Sequence, residues 1–209
     1  MADWQNAGFA IYVHWPFCQA KCPYCDFNSY VSADVDTQKW RAAFLSEIKR
    51  YAEETGPRLR NTVVFGGGTP SRMPPDLVGG ILSAIKGAWP YANDLEVTLE
   101  ANPSSVEIGK FRAFHDAGVT RISIGLQSLR DDHLRALGRG HTVREGEKAC
   151  DIAQTVFDRV SGDLIYARQH QDIDDWRSEL RHAVSLGTQH LSLYQLTIED
   201  GTVFGDRFK

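Results

Sequence analysis

Three cysteines lie close together near the start of the chain, at spacings of four and three residues: Cys18, Cys22 and Cys25. Cysteine thiolates are the usual protein ligands of iron–sulfur clusters, and a cubane has four irons to coordinate. Three thiolates hold three of these irons and leave the fourth without a protein ligand. The spacing therefore predicts a 4Fe-4S cluster with one open coordination site.

The open iron determines what chemistry such a site could perform. It can chelate the amino and carboxylate groups of S-adenosylmethionine, and an electron passed through the cluster then cleaves the sulfonium to yield a 5′-deoxyadenosyl radical.

Two other interpretations of the three cysteines stay open. A structural zinc site would need a fourth ligand, for which His14 is a candidate. A disulfide would leave one of the three cysteines unpaired and is disfavoured in a reducing compartment. The fourth cysteine, Cys150, lies in a helix-like stretch and is predicted to be a buried core thiol.

Glycine and polar side chains end several of the apolar runs. In residues 65–70, FGGGTP, consecutive glycines let a ligand approach the backbone, whose exposed N–H and C=O groups could bind an amino group; a tight turn is the alternative. Glu100, Gln127, Arg139 and Asp163 lie in or after later runs. Each alone could be a helix cap or a solvated charge. Together they predict a small polar ligand site facing the cluster.

The tyrosines offer a further choice. Tyr12, Tyr24 and Tyr194 could stack on an adenine ring or fill the interior of the fold.

Six short apolar runs alternate with helical patterns along the chain. Each run is predicted to be a strand that is hydrophobic on both faces or nearly so, as in a buried parallel sheet: 11–15, 62–66, 96–100, 121–126, 159–166 and 190–196. Apolar residues at helical spacing run from Trp40 to Tyr51, from Leu77 to Ile85 and from Ile173 to Val184. Helix starts are predicted at Asp36–Thr37, Ser104–Ser105 and Asp172.

This alternation predicts an α/β fold with right-handed crossovers and a parallel sheet. A doubly wound sheet and a partial barrel both accommodate six such units. The polar residues at the carboxyl ends of the strands favour a partial (β/α)6 barrel, formed as one domain over residues 1–209.

Composition narrows the class of protein. The 209 residues carry a net charge of −4, and Lys and Arg are scattered, whereas a nucleic-acid binder would show a basic stripe. No apolar run has the length of a bilayer span, and the N-terminus lacks the basic and apolar regions of a secretory signal. We therefore expect a cytoplasmic protein with reduced thiols and no nucleic-acid partner.

As a set, the motifs resemble one known family: YVHWPFC, KCPYCDFNSY, FGGGTPS, EANP, RISIGLQS, LGRGH and YQLTIEDGT. In this order, from Tyr12 to Gly201, they are similar to the oxygen-independent coproporphyrinogen III oxidase-like branch of radical S-adenosylmethionine proteins. The resemblance implies a partial six-stranded β/α barrel and a 4Fe-4S cluster on Cys18, Cys22 and Cys25. It also implies a set of S-adenosylmethionine contacts: Tyr12, Tyr24, Gly67, Gly68, Thr69, Glu100, Gln127, Arg139 and Asp163.

Within that branch the chain resembles the HemW-type haem chaperones more than the oxidase. The oxidase has a further cysteine two residues after the triad, where this chain has Phe27. The oxidase also has an N-terminal extension, which we expect this protein to lack because Tyr12 lies almost at the start of the sequence. The resemblance implies a protein that binds haem and delivers it to recipient haem proteins, without coproporphyrinogen oxidase activity. Membrane-associated respiratory recipients and a homodimer are left open, as are the oxidase itself and a radical enzyme acting on an unrelated substrate.

Two features depart from the family pattern. The sequence ends soon after the sixth predicted strand, whereas the resembling proteins continue into a C-terminal region that carries a haem-binding motif. Residues 1–209 are therefore expected to be the core domain alone. Ala167 and His170 stand where related proteins often have glycine or proline, which predicts a different turn after the fifth strand.

Overall fold

A computed structural model describes residues 8–104 and 108–208. It has eight strands: β1 (Ala10–Trp15), β2 (Phe17–Cys18), β3 (Tyr30–Val31), β4 (Arg60–Gly67), β5 (Tyr91–Ala101), β6 (Arg121–Gln127), β7 (Arg159–Tyr166) and β8 (His190–Gln195). Six of them form one parallel sheet in the order β1-β4-β5-β6-β7-β8, and β2 pairs with β3 separately. A doubly wound sheet would reverse its strand order. This order runs in one direction, so the predicted partial barrel is confirmed.

Helices lie between these strands and after the last one: α1 (Thr37–Thr55), α2 (Pro75–Ala88), α3 (Phe111–Asp116), α4 (Asp131–Ala136), α5 (Val143–Val156), α6 (Ile173–Ser185) and, after β8, α7 (Val203–Arg207). Two predicted helix starts are confirmed, because Asp36 accepts from the N–H of Lys39 and Asp172 accepts from that of Asp175. The third prediction involves Ser105, which lies outside the described residues. Among the described helices, none combines the length and apolarity that a bilayer crossing requires.

The core lies between the sheet and the helices. On the helix-facing side Phe65, Leu99 and Ile122 are fully buried. Right-handed crossovers that all proceed in one direction place the helices on one face, and the other face becomes the concave side of the partial barrel.

That concave face is polar, so the prediction of strands apolar on both faces is wrong for this sheet. Glu96 of β5 pairs there with Arg121 at 3.0 Å and with Arg159 at 2.8 Å. Because the helices cover only the convex face, side chains on the concave face must be polar or be covered by something else.

Candidate cofactor site at the cysteine loop

The three cysteines of the triad lie on residues 18–29, which we call the cysteine loop. Its ends are held together by the pairing of β2 with β3, and the N–H of Tyr30 donates to the carbonyl of Pro16 at 2.7 Å. From β1, the Nε2 atom of His14 lies 2.9 Å from the carbonyl oxygen of Asn28. His14 therefore ties the loop backbone to the sheet, which accounts for this histidine without a zinc ion.

The thiols differ in their surroundings. Cys18 is buried in β2, whereas Cys22 and Cys25 are half-buried and joined by a turn in which the N–H of Cys25 donates to the carbonyl of Cys22 at 3.1 Å. Burial raises the pKa of the Cys25 thiol. None of the cysteines forms a disulfide. Cys150 is fully buried in α5, where burial raises its pKa to about 12, so the predicted core thiol is confirmed.

Within residues 8–104 and 108–208, no three His, Cys, Asp or Glu side chains are grouped closely enough to hold a metal ion. The donor set nevertheless matches an iron–sulfur cluster in chemistry, because three free thiols share one loop and a guanidinium lies beside one of them.

That guanidinium belongs to Arg139, which follows α4. Its Nη1 atom lies 3.4 Å from the sulfur of Cys22, and its Nη2 atom donates to Oδ1 of Asn102 at 2.7 Å and to the carbonyl of Gly125 at 3.2 Å. Tyr24 lies beside both Cys22 and Arg139, and burial raises the pKa of its hydroxyl. Arg139 thus connects the cysteine loop to the carboxyl ends of β5 and β6.

The glycine run ends β4 beside this loop. Backbone N–H groups of the run and of the residue after it donate hydrogen bonds within the protein. Gly67 donates to Oε2 of Glu100 at 3.3 Å, Gly68 to the carbonyl of Trp15 at 2.7 Å, and Thr69 to the carbonyl of Phe17 at 3.0 Å. The expectation that these N–H groups are exposed is therefore wrong, since the neighbouring strand and loop already occupy them.

The surroundings of Gly67 within the protein favour glycine at this position. Its φ is +114°, and a Cβ atom there would lie 2.6 Å from Nδ1 of His14. The glycine thus lets β4 pass close to β1, whatever ligand lies above it.

Two carboxyl groups lie on the concave face: Glu100 on β5, next to the glycine run, and Asp163 two strands further along the sheet, on β7. A Cβ on Gly66 would meet the hydroxyl of Tyr12 at 2.7 Å and Oε1 of Glu100 at 3.0 Å. Burial, with a contribution from the nearby Asp163, raises the pKa of Glu100 to about 7 against the opposing hydrogen bond from Gly67. Burial also raises the pKa of Asp163 to about 6, although Ser123 donates to it at 2.9 and 3.0 Å.

The last two predicted positions, Gln127 on β6 and Tyr194 on β8, belong to the strands on either side of β7, which carries Asp163. Gln127 has a left-handed backbone, φ 64°, and its amide nitrogen would be 2.8 Å from a Cβ on Gly125. Tyr194 is 57% exposed on β8, and partial burial, with a smaller contribution from Asp163, raises the pKa of its hydroxyl. The structure therefore places Tyr24 and Arg139 beside Cys22, and Tyr12, Gly67 and Asp163 near Glu100. Gly68 and Thr69 lie against the start of the cysteine loop, and Gln127 lies beside Gly125.

The sequence profile of the Radical SAM superfamily matches residues 12–183. The chain belongs to the radical SAM superfamily. It is 42% identical over 194 residues to the Bos taurus protein "Radical S-adenosyl methionine domain-containing protein 1, mitochondrial", covering 92% of this chain and 44% of the relative. It is 38% identical over 200 residues to "Heme chaperone HemW" of Escherichia coli (strain K12), covering 95% of this chain and 53% of the relative.

A solved structure shows the same fold. The radical SAM enzyme coproporphyrinogen III oxidase (HemN) from Escherichia coli superposes with a TM-score of 0.82 at 22% identity, over 95% of this chain and 46% of that one. The radical SAM chain described here thus spans about half the length of the curated relatives it matches.

The radical SAM fold of this chain also contains a buried ion pair that sequence reasoning missed. Arg168, after β7, pairs with Glu179 of α6, and both side chains are almost fully buried. Glu179 also accepts from the hydroxyl of Ser128 at 2.5 Å and from the N–H of Leu129 at 2.7 Å. The sequence does contain an indication of this pair. Glu179 lies at helical spacing between Trp176 and Ala183, where it interrupts the apolar stripe and predicts a carboxylate that faces the core.

Arg168 of this pair also contacts the backbone near the ends of β6 and β7. Arg168 donates to the carbonyl of Gln127 at 3.4 Å, and to that of Ile165. It therefore joins the turn after β6 to the turn after β7. In the second turn Ala167 and His170 both have left-handed backbones, with φ 56° and 62°, so the turn adopts at both positions the conformation that glycine favours.

Proposed function

We propose that this chain is the core of a radical SAM haem chaperone, which holds a 4Fe-4S cluster on Cys18, Cys22 and Cys25, binds S-adenosylmethionine and delivers haem to recipient haem proteins. One observation carries the proposal: three free thiols lie on a loop anchored beside the carboxyl edge of a radical SAM sheet, with Arg139 against Cys22. The 38% identity to a protein named heme chaperone supports the choice of function.

The cluster, when bound, would supply an open iron for the amino and carboxylate groups of S-adenosylmethionine. Glu100 and Asp163 are suited to bind its ribose hydroxyls or its ammonium group, because both are carboxyl groups on the concave face. The remaining contacts proposed for this ligand are Tyr12, Tyr24, Gly67, Gly68, Thr69, Gln127 and Arg139. Arg139 would act at the boundary between cluster and ligand, since it already contacts Cys22 and the carbonyl of Gly125.

The position after the triad favours a carrier over an oxidase. Phe27 stands where the oxidase has a further cysteine, and its side chain is 60% exposed. A phenyl ring offers no thiol to a cluster or a substrate. We therefore propose that the protein binds haem for delivery and lacks coproporphyrinogen oxidase activity.

The partners follow from that role. We propose a cytoplasmic protein that transfers haem to recipient haem proteins, including membrane-associated respiratory ones, and that binds no nucleic acid. Relatives whose names place them in mitochondria also match the chain. A homodimer is part of the proposal and is tested by sedimentation of the protein with and without its cluster.

Cys22→Ala tests the cluster assignment. After anaerobic reconstitution we expect the variant to lose most of its bound iron and the visible absorption of the cluster, because one of three thiolate ligands is gone. Cys150→Ala is the matched control, since Cys150 is a buried core thiol and should not affect iron content. Full iron content in the Cys22 variant would overturn the proposal.

Product analysis tests the choice between carrier and oxidase. The reconstituted protein is incubated anaerobically with coproporphyrinogen III, S-adenosylmethionine and a reductant. We expect no protoporphyrinogen while the absorption of the cluster stays unchanged, and we expect haem added to the protein to pass to an apo haem protein. Protoporphyrinogen in the product would contradict the chaperone assignment.

A further inference from the structure

The segment after β8, with the sequence LTIEDGTVF (residues 196–204), turns back onto the cysteine loop. The N–H of Phe204 in α7 donates to the carbonyl of Pro23 at 2.9 Å. The ring of Phe204 lies 6.3 Å from that of Tyr24, centroid to centroid. Pro23 and Tyr24 are the two residues between Cys22 and Cys25, so the contact falls on the spacer that separates two of the thiols.

The turn that delivers Phe204 is closely built. Thr202 is buried, donates through its hydroxyl to the carbonyl of Glu199 at 2.7 Å, and accepts from the N–H of Gly205 at 2.9 Å. A Cβ on Gly205 would lie 2.2 Å from the carbonyl oxygen of Glu199. These contacts fix the turn that carries Phe204, and Phe204 itself is buried, 7% exposed.

The spacer is held from a second side as well. Gly138 has φ +66°, and a Cβ there would lie 2.6 Å from Cδ of Pro23. Next to it, Arg139 contacts both Cys22 and Tyr24. Pro23 and Tyr24 therefore lie between α7 and the turn that follows α4.

We propose that Phe204 is a positioning residue for the iron–sulfur cluster: it fixes the Pro23–Tyr24 spacer so that Cys22 and Cys25 present their thiolates to one cluster and retain it. This inference rests on the proposed function, because it requires those cysteines to be ligands. It assigns a role to the segment after β8, which none of the contacts proposed for S-adenosylmethionine explains. Residues that orient metal ligands without touching the metal are often worth tenfold or more in metal retention.

The test compares the same substitution at two buried phenylalanines. Phe204→Leu removes the ring contact with Tyr24, and Phe157→Leu removes a comparable ring contact with Phe111, at 6.0 Å, in the core. Each variant is reconstituted anaerobically and mixed with a ferrous chelator, and the rate of iron release is recorded. The EPR spectrum of the reduced cluster and the urea unfolding of the apoprotein are measured alongside.

We expect Phe204→Leu to release iron about tenfold faster than the unchanged chain and to alter the EPR spectrum. Phe157→Leu should lose a similar amount of unfolding free energy but release iron at the original rate. Val203→Ala, on the same helix with its side chain 49% exposed, should behave as the unchanged chain. Phe204→Tyr, which keeps the ring, should restore retention.

Two results would overturn the inference. Iron release from Phe204→Leu at the original rate would show that the contact does not act on the cluster. Equal acceleration in both leucine variants would show a general loss of stability. Failure of the proposed function is distinguishable from both, because the unchanged chain would then take up no cluster at all.

Discussion

Glu100 accepts a hydrogen bond from the backbone N–H of Gly67 across two adjacent strands, at 3.3 Å. The carboxylate would therefore be held in place by the strand that ends in the glycine run. Burial nevertheless keeps the pKa of Glu100 at about 7. One side chain is thus both a fixed part of the site and a group that changes charge near neutral pH.

Glu100→Gln should stabilise the protein at alkaline pH. The folded-state pKa lies above the ordinary value, so the folded chain binds more protons than the unfolded chain between about pH 4.5 and 7, and its stability falls as the pH rises through that window. Glutamine keeps an acceptor for Gly67 without the buried charge. We expect the variant to exceed the unchanged chain by roughly 2 kcal/mol at pH 8 and to match it near pH 4.

Urea unfolding at the two pH values measures this difference. The same variant should bind S-adenosylmethionine more weakly at pH 8 if the carboxylate contacts the ligand. A stability difference that is the same at both pH values would show that ionisation of Glu100 is not the cause.

Gly67→Ala should destabilise the protein in the absence of any ligand. The new Cβ would lie 2.6 Å from the ring of His14, and the φ of +114° is strained for alanine. We expect a loss of roughly 1–3 kcal/mol in unfolding free energy, measured in urea without cofactors. Gly87→Ala in α2 is the control, because a Cβ there meets nothing within 4 Å, and it should be neutral or stabilising. Normal stability with weakened ligand binding would instead mean that the glycine serves the ligand alone.

Ala167→Gly should stabilise the turn after β7. Ala167 has φ 56°, a left-handed conformation that costs an L-residue about 1 kcal/mol, and glycine avoids that cost while adding some entropy to the unfolded chain. We expect a net gain of roughly 0.5 kcal/mol in thermal or chemical unfolding. Ala42→Gly in the exposed interior of α1 should act in the opposite direction by about 1 kcal/mol. A loss of stability in the first variant would show that the turn is unstrained.

Glu179→Gln should be strongly destabilising. It leaves the buried guanidinium of Arg168 without its counter-charge, which costs roughly 3 kcal/mol in comparable sites. Asp174→Asn is the matched control on the same helix, because Asp174 pairs with Arg177 in solvent and should change stability by less than about 0.5 kcal/mol. Similar losses in the two variants, measured by urea unfolding, would contradict the distinction between buried and exposed pairs. Because Arg168 also donates to the carbonyl of Gln127, the first variant should weaken S-adenosylmethionine binding too.

Much of this molecule follows from local sequence. The spacing of Cys18, Cys22 and Cys25 needs no tertiary information to predict thiolate ligation, and the alternation of apolar runs with amphipathic stretches determined the six strands of the sheet. Asp36 and Asp172 identified two helix starts, because capping depends only on residues three apart.

Other properties depend on residues that are distant in the chain. Three contacts follow from how the strands and loops meet. Gly67 packs against His14, Arg139 contacts Cys22, and Phe204 lies on the spacer between two thiols. Residues 96–100, EVTLE, alternate polar with apolar side chains, so one polar face was readable from the strand itself. That this face is the concave one depends on which face the crossovers cover. The pKa of Glu100 was decided in the same way, because desolvation depends on the atoms that surround a carboxyl group and not on its neighbours in sequence.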